Sequence, residues 1–148
     1  MKFTIVAALA TLAVAAPATD RRATWTQWFA NVVAEPEPYN NSNLTFAFSL
    51  AFTDGTIYNC ATSYDTNTGV SANNTCTYKG QPSDVTATVA VLGGIQNIAP
   101  SVYMPATETT YTANITTANP QYSCAHSGTP GSGVKCITTS GTFTATAV

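Results

Sequence analysis

The residues able to do chemistry are few and scattered. The single histidine, His126, stands between Ala125 and Ser127. A catalytic histidine needs a nucleophile within reach and an acceptor that orients its ring. No Gly-x-Ser-x-Gly elbow supplies that nucleophile, so His126 reads as a solvated loop side chain. Glu35 and Glu37 are the nearest approach to a carboxylate pair. Glycosidase carboxylates face each other across a cleft of roughly 5–9 Å, and two residues on one proline-rich loop seldom do so. Asp54 is explained by the turn it forms with Gly55. Asp65, Asp84 and Glu108 stand singly and match no calcium-loop pattern. Cys60, Cys76, Cys124 and Cys136 show neither Cys-x-x-Cys nor a Cys/His ligand spacing, which argues against zinc. These residue types imply no catalytic set, no metal and no cofactor.

Binding chemistry is narrowed in the same way. From Ala23 onward there is no arginine, and the lysines are Lys79 and Lys135. Phosphate recognition requires clustered cations, so nucleic acid and anionic membranes are poor partners. All seven tyrosines fall in this part. At strand spacing they read as core and rim; the other reading is an aromatic mouth on a barrel that admits a small apolar ligand. Asn40, Asn43, Asn73 and Asn114 each head an Asn-x-Ser/Thr sequon and are candidate N-glycosylation sites.

The elements that carry these residues are organised around Asn43–Cys60. Leu44, Phe46, Phe48, Leu50 and Phe52 alternate with Thr45, Ala47, Ser49 and Ala51. Successive strand side chains point to opposite faces, so this is a strand with one buried face. Asp54-Gly55 then signals a hairpin. A three-residue loop, Thr53-Asp54-Gly55, is the better register, because it places Tyr58 and Cys60 on the buried face and Ile57 outside. Trp25–Glu35 is ambiguous. Trp25, Trp28, Phe29, Val32 and Val33 fit a helical stripe behind a Thr24-x-x-Gln27 capping box, yet the residue types favour a strand.

The other segments are punctuated by proline, glycine and asparagine. Glu35–Ser42 is a loop broken by two prolines. Tyr64–Asn74 is a polar loop, Thr75–Lys79 a strand, Gly80–Asp84 a turn and Val85–Leu92 a one-faced strand stopped by Gly93-Gly94. Ile95–Pro105 is irregular. Thr109–Thr117 alternates again and puts Asn114 on the solvent side. Pro120–Gly133 is a loop containing Cys124, and Val134–Thr139 and Thr142–Val148 close the chain. About eight strands with frequent turn signals indicate an all-β, antiparallel domain: a β-barrel, or alternatively a β-sandwich.

Residues 1–16, with a positive start, an apolar run and small residues at Val14-Ala15-Ala16, read as a signal peptide. Residues 17–22 end in Arg21-Arg22 and read either as a polar N-terminus or as a pro-segment cut at a dibasic site; 23–148 is one domain. Four cysteines in a secreted chain form two intrachain disulfides, in one of three pairings. Cys60–Cys76 with Cys124–Cys136 is favoured, since each pair brackets a short polar loop and can join neighbouring strands. No cysteine is then left for a covalent dimer, so the chain is a monomer or a non-covalent homodimer.

The order of these motifs resembles the Alternaria major-allergen family of small secreted fungal proteins. The resemblance rests on Trp25-Thr-Gln-Trp-Phe29, on Tyr39–Phe48, on Asp54–Cys60, and on Tyr122-Ser-Cys124 followed by Cys136. It implies a β-barrel or a closely related all-β fold with two internal disulfides through Cys60, Cys76, Cys124 and Cys136. It also implies a strand at Trp25–Val33, no established catalytic centre, and extracellular proteins that act at the plant interface as elicitors or by binding plant defence proteins, some of them allergens. This chain lacks the archetype's additional N-terminal cysteine.

Three functions compete. The first is a non-catalytic secreted interaction protein, effector-, elicitor- or allergen-like, that binds a host extracellular protein. The second is a carrier of a small apolar ligand. The third is a secreted hydrolase.

Overall fold

The computed structural model describes residues 26–37, 40–126 and 133–148. The signal-peptide and pro-segment readings, Trp25, Tyr39 and the side chain of Asn40 lie outside the described residues.

The described chain forms one curled antiparallel half-barrel sheet of thirteen strands. The strands are β1 (Gln27–Glu37), β2 (Asn40–Phe52), β3 (Ile57–Asp65), β4 (Val70–Ser71), β5 (Asn74–Tyr78), β6 (Gln81–Val91), β7 (Asn97–Met104), β8 (Thr109–Thr112), β9 (Ile115–Thr116), β10 (Tyr122–His126), β11 (Val134–Thr138), β12 (Phe143–Thr144) and β13 (Thr146–Ala147). Their main order is β10-β11-β1-β2-β3-β5-β6-β7-β8-β13. The last segment bridges the two margins of the curl. β12 pairs with β1 at Trp28–Thr144 and Phe29–Phe143, and β13 pairs with β8 at Thr112–Thr146 and Tyr111–Ala147. Ala145, between them, is buried and donates its N–H to the Gln27 carbonyl at 2.8 Å.

The inward face follows the alternation. Phe46, Phe48, Leu50 and Phe52 of β2 are buried with Phe29, Cys60, Val85, Val89, Ile98, Val102 and Ile115. The β2–β3 hairpin has the expected three-residue loop. Gly55, at φ +88°, donates to the Phe52 carbonyl, and Phe52 N–H donates to Thr56 O at 2.9 Å. Leu50 therefore faces Tyr58 and Phe48 faces Cys60, while Ile57 is 46% exposed.

Both favoured disulfides are present, Cys60–Cys76 and Cys124–Cys136, and no cysteine is free. Each joins residues directly opposite on neighbouring antiparallel strands. Cys124 faces Cys136 in register, and Cys60 faces Cys76 one step beyond the Asn59–Thr77 pair.

Gln27–Glu37 is a strand, and the helical spacing in it has a specific cause. Ala30 faces Ser49 and Val33 faces Ala47, so Asn31 and Val32 together oppose one residue. This is a β-bulge, and the extra residue flips the parity of the positions after it. Phe29 and Val32 both point inward although three apart. Asn31 takes φ +53°, a conformation that asparagine tolerates better than most residues. The Val32 N–H is satisfied by Thr138 Oγ1 at 3.0 Å.

Four loop assignments are corrected by the structure. Glu35–Glu37 and Asn40–Ser42 belong to β1 and β2, with Pro36 opposite Leu44. β1 pairs with β11 at Val33 and Ala34. Pro36 lies past that ladder, where a missing N–H is tolerated. The expected loop at Tyr64–Asn74 shrinks to a tight turn, because β3 continues to Asp65 and β4 pairs back on it. The turn expected at Gly80–Asp84 is Lys79-Gly80, both at positive φ, and β6 begins at Gln81. Asn97–Met104 is a strand, not irregular chain. Its Pro100 sits opposite the break where Ala113-Asn114 separate β8 from β9, so no ladder bond is lost there.

A fifth correction concerns the candidate residues themselves. Cys124 and His126 lie on β10, paired with β11, rather than in a loop. Among the described residues, no helix is long and apolar enough to cross a membrane.

Candidate functional site

The candidate catalytic groups are dispersed. His126 is exposed at the end of β10, opposite Val134. Glu108 is exposed in the connection before β8, at φ +50°. β10 and β8 are not hydrogen-bonded neighbours in the sheet. Glu35 pairs with Lys135 Nζ at 2.8 Å, and Glu37 Oε2 accepts from Asn43 Nδ2 at 2.9 Å. Asp54 Oδ1 accepts from Thr56 N–H, and Asp65 Oδ1 accepts from Asn67 N–H, both at 2.8 Å. Each of these carboxylates thus has a local structural task. Asp84, exposed on β6, acts on Tyr58. Burial first, then the charge of Asp84, the neighbouring Tyr78 and the charge of Asp54 raise the Tyr58 hydroxyl above its ordinary pKa. Among the described residues no three His, Cys, Asp or Glu side chains gather as a metal site.

The tyrosines divide between core and rim. Tyr122 is fully buried, with its hydroxyl donating to the Ile95 carbonyl at 2.6 Å and its ring edge-on to Phe143. Tyr58, Tyr64 and Tyr111 pack at the edge of the core, and Tyr78 and Tyr103 are exposed. At the end of the sheet near the β2–β3 hairpin, Phe52 meets Tyr111 at 5.5 Å and Tyr58 at 6.3 Å, and Tyr58 meets Tyr78 at 5.4 Å. Lys79 Nζ lies 5.2 Å from the Tyr78 ring centre. The rings form one chain of contacts, Tyr111–Phe52–Tyr58–Tyr78.

The outer face of β11, β1, β2 and β3 has a different character. Registers place Ile137, Val33, Ala47 and Ala61 in one row across the four strands. The next row carries Glu35, Thr45 and Ser63, with Lys135 reaching Glu35 from β11. On the other side lies the row Trp28, Ala51 and Ile57. Between them Ser49 donates to Asn59 Oδ1 at 2.8 Å, which satisfies a polar pair on the sheet. The small side chains of Ala47 and Ala61 lower the middle of this face. The result is an open groove of about 320 Å³ walled by Val33, Glu35, Thr45, Ser63 and Asn74. Glu35, paired with Lys135, is the charged residue of its lining, and Asp65 and the Glu37–Asn43 pair lie one row further along the same face. Such a face offers shape and apolar area rather than charge, the composition found at the centre of protein interfaces.

Sequence reasoning did not single out this groove. Its signal was nonetheless present: alanine stands at Ala47 and Ala61, two positions on the outer side of β2 and β3 that the alternation leaves exposed.

No protein-family model matches this chain, and neither a curated protein nor a solved structure matches it significantly.

Proposed function

We propose that this chain is a secreted, non-catalytic interaction protein, effector- or elicitor-like and allergen-like, that binds a host plant protein outside the cell. It acts as a monomer or non-covalent homodimer. The observation that carries this reading is the alanine-floored groove on the outer face of β11-β1-β2-β3, whose charged lining residue, Glu35, is paired with Lys135. A face of this kind is covered by a protein surface of matching shape, and charged residues are depleted where such contacts form. The family resemblance supports the same class of partner, and the paired disulfides suit an extracellular setting. The exposed sequons at Asn73 and Asn114 then meet the glycosylation machinery on the secretory route.

The test compares two variants in capture from plant extracellular fluid and in a defence-elicitation assay. Ala47→Arg with Ala61→Arg places two large cations on the groove floor, at exposed positions that do not disturb the core. It is expected to reduce capture at least tenfold. His126→Ala with Glu108→Gln removes the best acid–base candidates and is expected to leave both readouts unchanged. Loss of activity in the second variant, with fold and disulfides intact, overturns the non-catalytic reading. Unchanged capture by the first overturns the assignment of this face.

A further inference from the structure

The opposite part of the sheet presents a second face of different chemistry. On the outside of β6, β7 and β8, Thr86, Tyr103 and Thr110 form one row and Thr88, Ser101 and Thr112 the next. These side chains, without Thr112 and together with Asn73, line a shallow groove of about 240 Å³. Five hydroxyls and one aromatic ring make up its wall. Tyr103 is 42% exposed, so its ring meets solvent over much of its area. Ser101 Oγ donates to Thr112 Oγ1 at 3.3 Å, and Thr112 Oγ1 donates to the Pro100 carbonyl at 3.0 Å, which holds the groove floor in place.

Asn73 heads the sequon Asn73-Asn74-Thr75, and both Asn73 and Thr75 are exposed. The β5–β6 register, Asn74 to Ala87 and Thr75 to Thr86, brings Asn73 beside Thr88. Tyr103 lies two strands away, roughly 10 Å across the sheet at ordinary strand spacing. That is the span of the two N-acetylglucosamine units with which N-glycans begin. The other described sequons differ. Asn43 is half-buried, and its Nδ2, the atom a glycan would be attached to, donates to Glu37 Oε2. Asn114 is exposed at the break between β8 and β9 but does not line this groove.

We propose that Asn73 carries an N-linked glycan whose first two sugars lie in the Thr86–Thr88–Ser101–Thr110 groove, with an apolar sugar face on the Tyr103 ring. This rests on the secretion proposed above. In the modification, the Asn73 amide nitrogen bonds to the anomeric carbon of a lipid-diphosphate-linked oligosaccharide. The lipid diphosphate leaves with the bonding pair, and one amide proton passes to the host transferase. The seated sugars then offer hydroxyl and acetamide groups to the threonines. They offer C–H groups to the negative face of the ring, the face by which aromatic rings attract positive charge.

The experiment uses the full chain expressed in a eukaryotic secretory host. Glycopeptide mass spectrometry of the secreted protein is expected to show Asn73 occupied. Thermal unfolding then compares the native chain, Asn73→Gln, Tyr103→Ala and the double variant as a cycle. Loss of the glycan is expected to lower the melting temperature by about 2–5 °C in the native background and by less than ~1 °C in the Tyr103→Ala background. Thr75→Ala removes the sequon while keeping Asn73, and is expected to reproduce the Asn73→Gln result. Secretion with Asn73 bare overturns the site and leaves the secreted reading standing. Retention inside the cell with no sequon occupied overturns both. Equal shifts in the two backgrounds overturn the seating on Tyr103.

Discussion

Tyr122→Phe tests how the edge strand β10 is tied to the rest of the sheet. Tyr122 is 1% exposed, and its hydroxyl donates to the Ile95 carbonyl at 2.6 Å, in the connection between β6 and β7. Removing that hydroxyl leaves a buried acceptor without its donor. The cost is about 1–3 kcal/mol at neutral pH, because the carbonyl has lost water and regains nothing. For a domain of this size each kcal/mol lowers the melting temperature by roughly 3–6 °C.

The same burial pushes the Tyr122 pKa up from its ordinary value of 10.0. Below pH 10 both folded and unfolded chains hold the proton, and the hydroxyl's contribution is complete. Above it the unfolded chain has released the proton while the folded chain keeps it. The folded state then binds more protons, and stability falls by about 1.4 kcal/mol per pH unit from this group. Phenylalanine carries no such proton. Tyr58, whose pKa is also raised, is common to both chains and cancels. Urea unfolding at pH 7, 9.5, 10.5 and 11.5 is therefore expected to show the native chain's advantage constant up to about pH 10. It should then shrink, and it should be gone within roughly one to two units. A gap that stays parallel to pH 11.5 would refute the buried, proton-holding role of Tyr122.

Four further outcomes are set by the geometry. Gly55→Ala is expected to cost about 1 kcal/mol by urea unfolding, since Gly55 sits at φ +88° with no atom near an added Cβ, leaving backbone conformation as the whole penalty. Under graded reductant and thiol labelling, Cys124–Cys136 is expected to open before Cys60–Cys76, because Cys124 is partly exposed on an edge strand while Cys60 and Cys76 are buried. Replacing Cys60 and Cys76 together by serine, across a sequence separation of 16, is expected to cost about 3 kcal/mol. Deleting Phe143–Val148 removes the segment that bridges β1 and β8, and calorimetry is expected to show loss of the cooperative transition.

The parts of the fold legible in the sequence are those where local pattern and tertiary packing agree. Leu44 to Phe52 alternates without interruption, so β2 and its hairpin register followed from residue types alone. Val85 to Val91 behaved alike. β1 was obscured because the Asn31 bulge shifts its parity, and a strand with one extra residue mimics helical spacing over a short window. Pro36 and Pro100 misled for one shared reason. A proline breaks a ladder only where an N–H is required, and both stand where a partner strand has ended or is interrupted. β10 was missed because Tyr122–His126 is short and polar in parts; its strand character comes from pairing with β11 across Cys124–Cys136. The outer groove was harder still. It is assembled from single residues of β1, β2 and β3, and the register that lines them up is tertiary information.

The two outer faces meet along the β3–β5 seam. The inward residues on either side of it are similar in kind: Phe, Leu and Cys on β2 and β3, Val, Ala and Ile on β6 and β7. The outward residues are not. The row at the groove of β1, β2 and β3 is valine and alanine, while the rows at the groove of β6, β7 and β8 are threonine, serine and tyrosine. Packing against a common core constrains the first set, while the second is free to diverge, so the difference in chemistry is carried by positions that folding leaves open. The seam itself is thinly paired. β3 meets β5 at Tyr58–Tyr78 and Asn59–Thr77, after which β4 takes over the pairing with β3 at Tyr64 and Asp65. Cys60–Cys76 lies one step beyond that short ladder and supplies a covalent bond where backbone pairing stops. The Phe48 ring stands opposite Cys60 on β2 and edge-on to Phe29 on β1, at 5.6 Å. The disulfide thereby ties β3 to β5 covalently between the strands that carry the alanine-floored groove and those that carry the threonine-lined one.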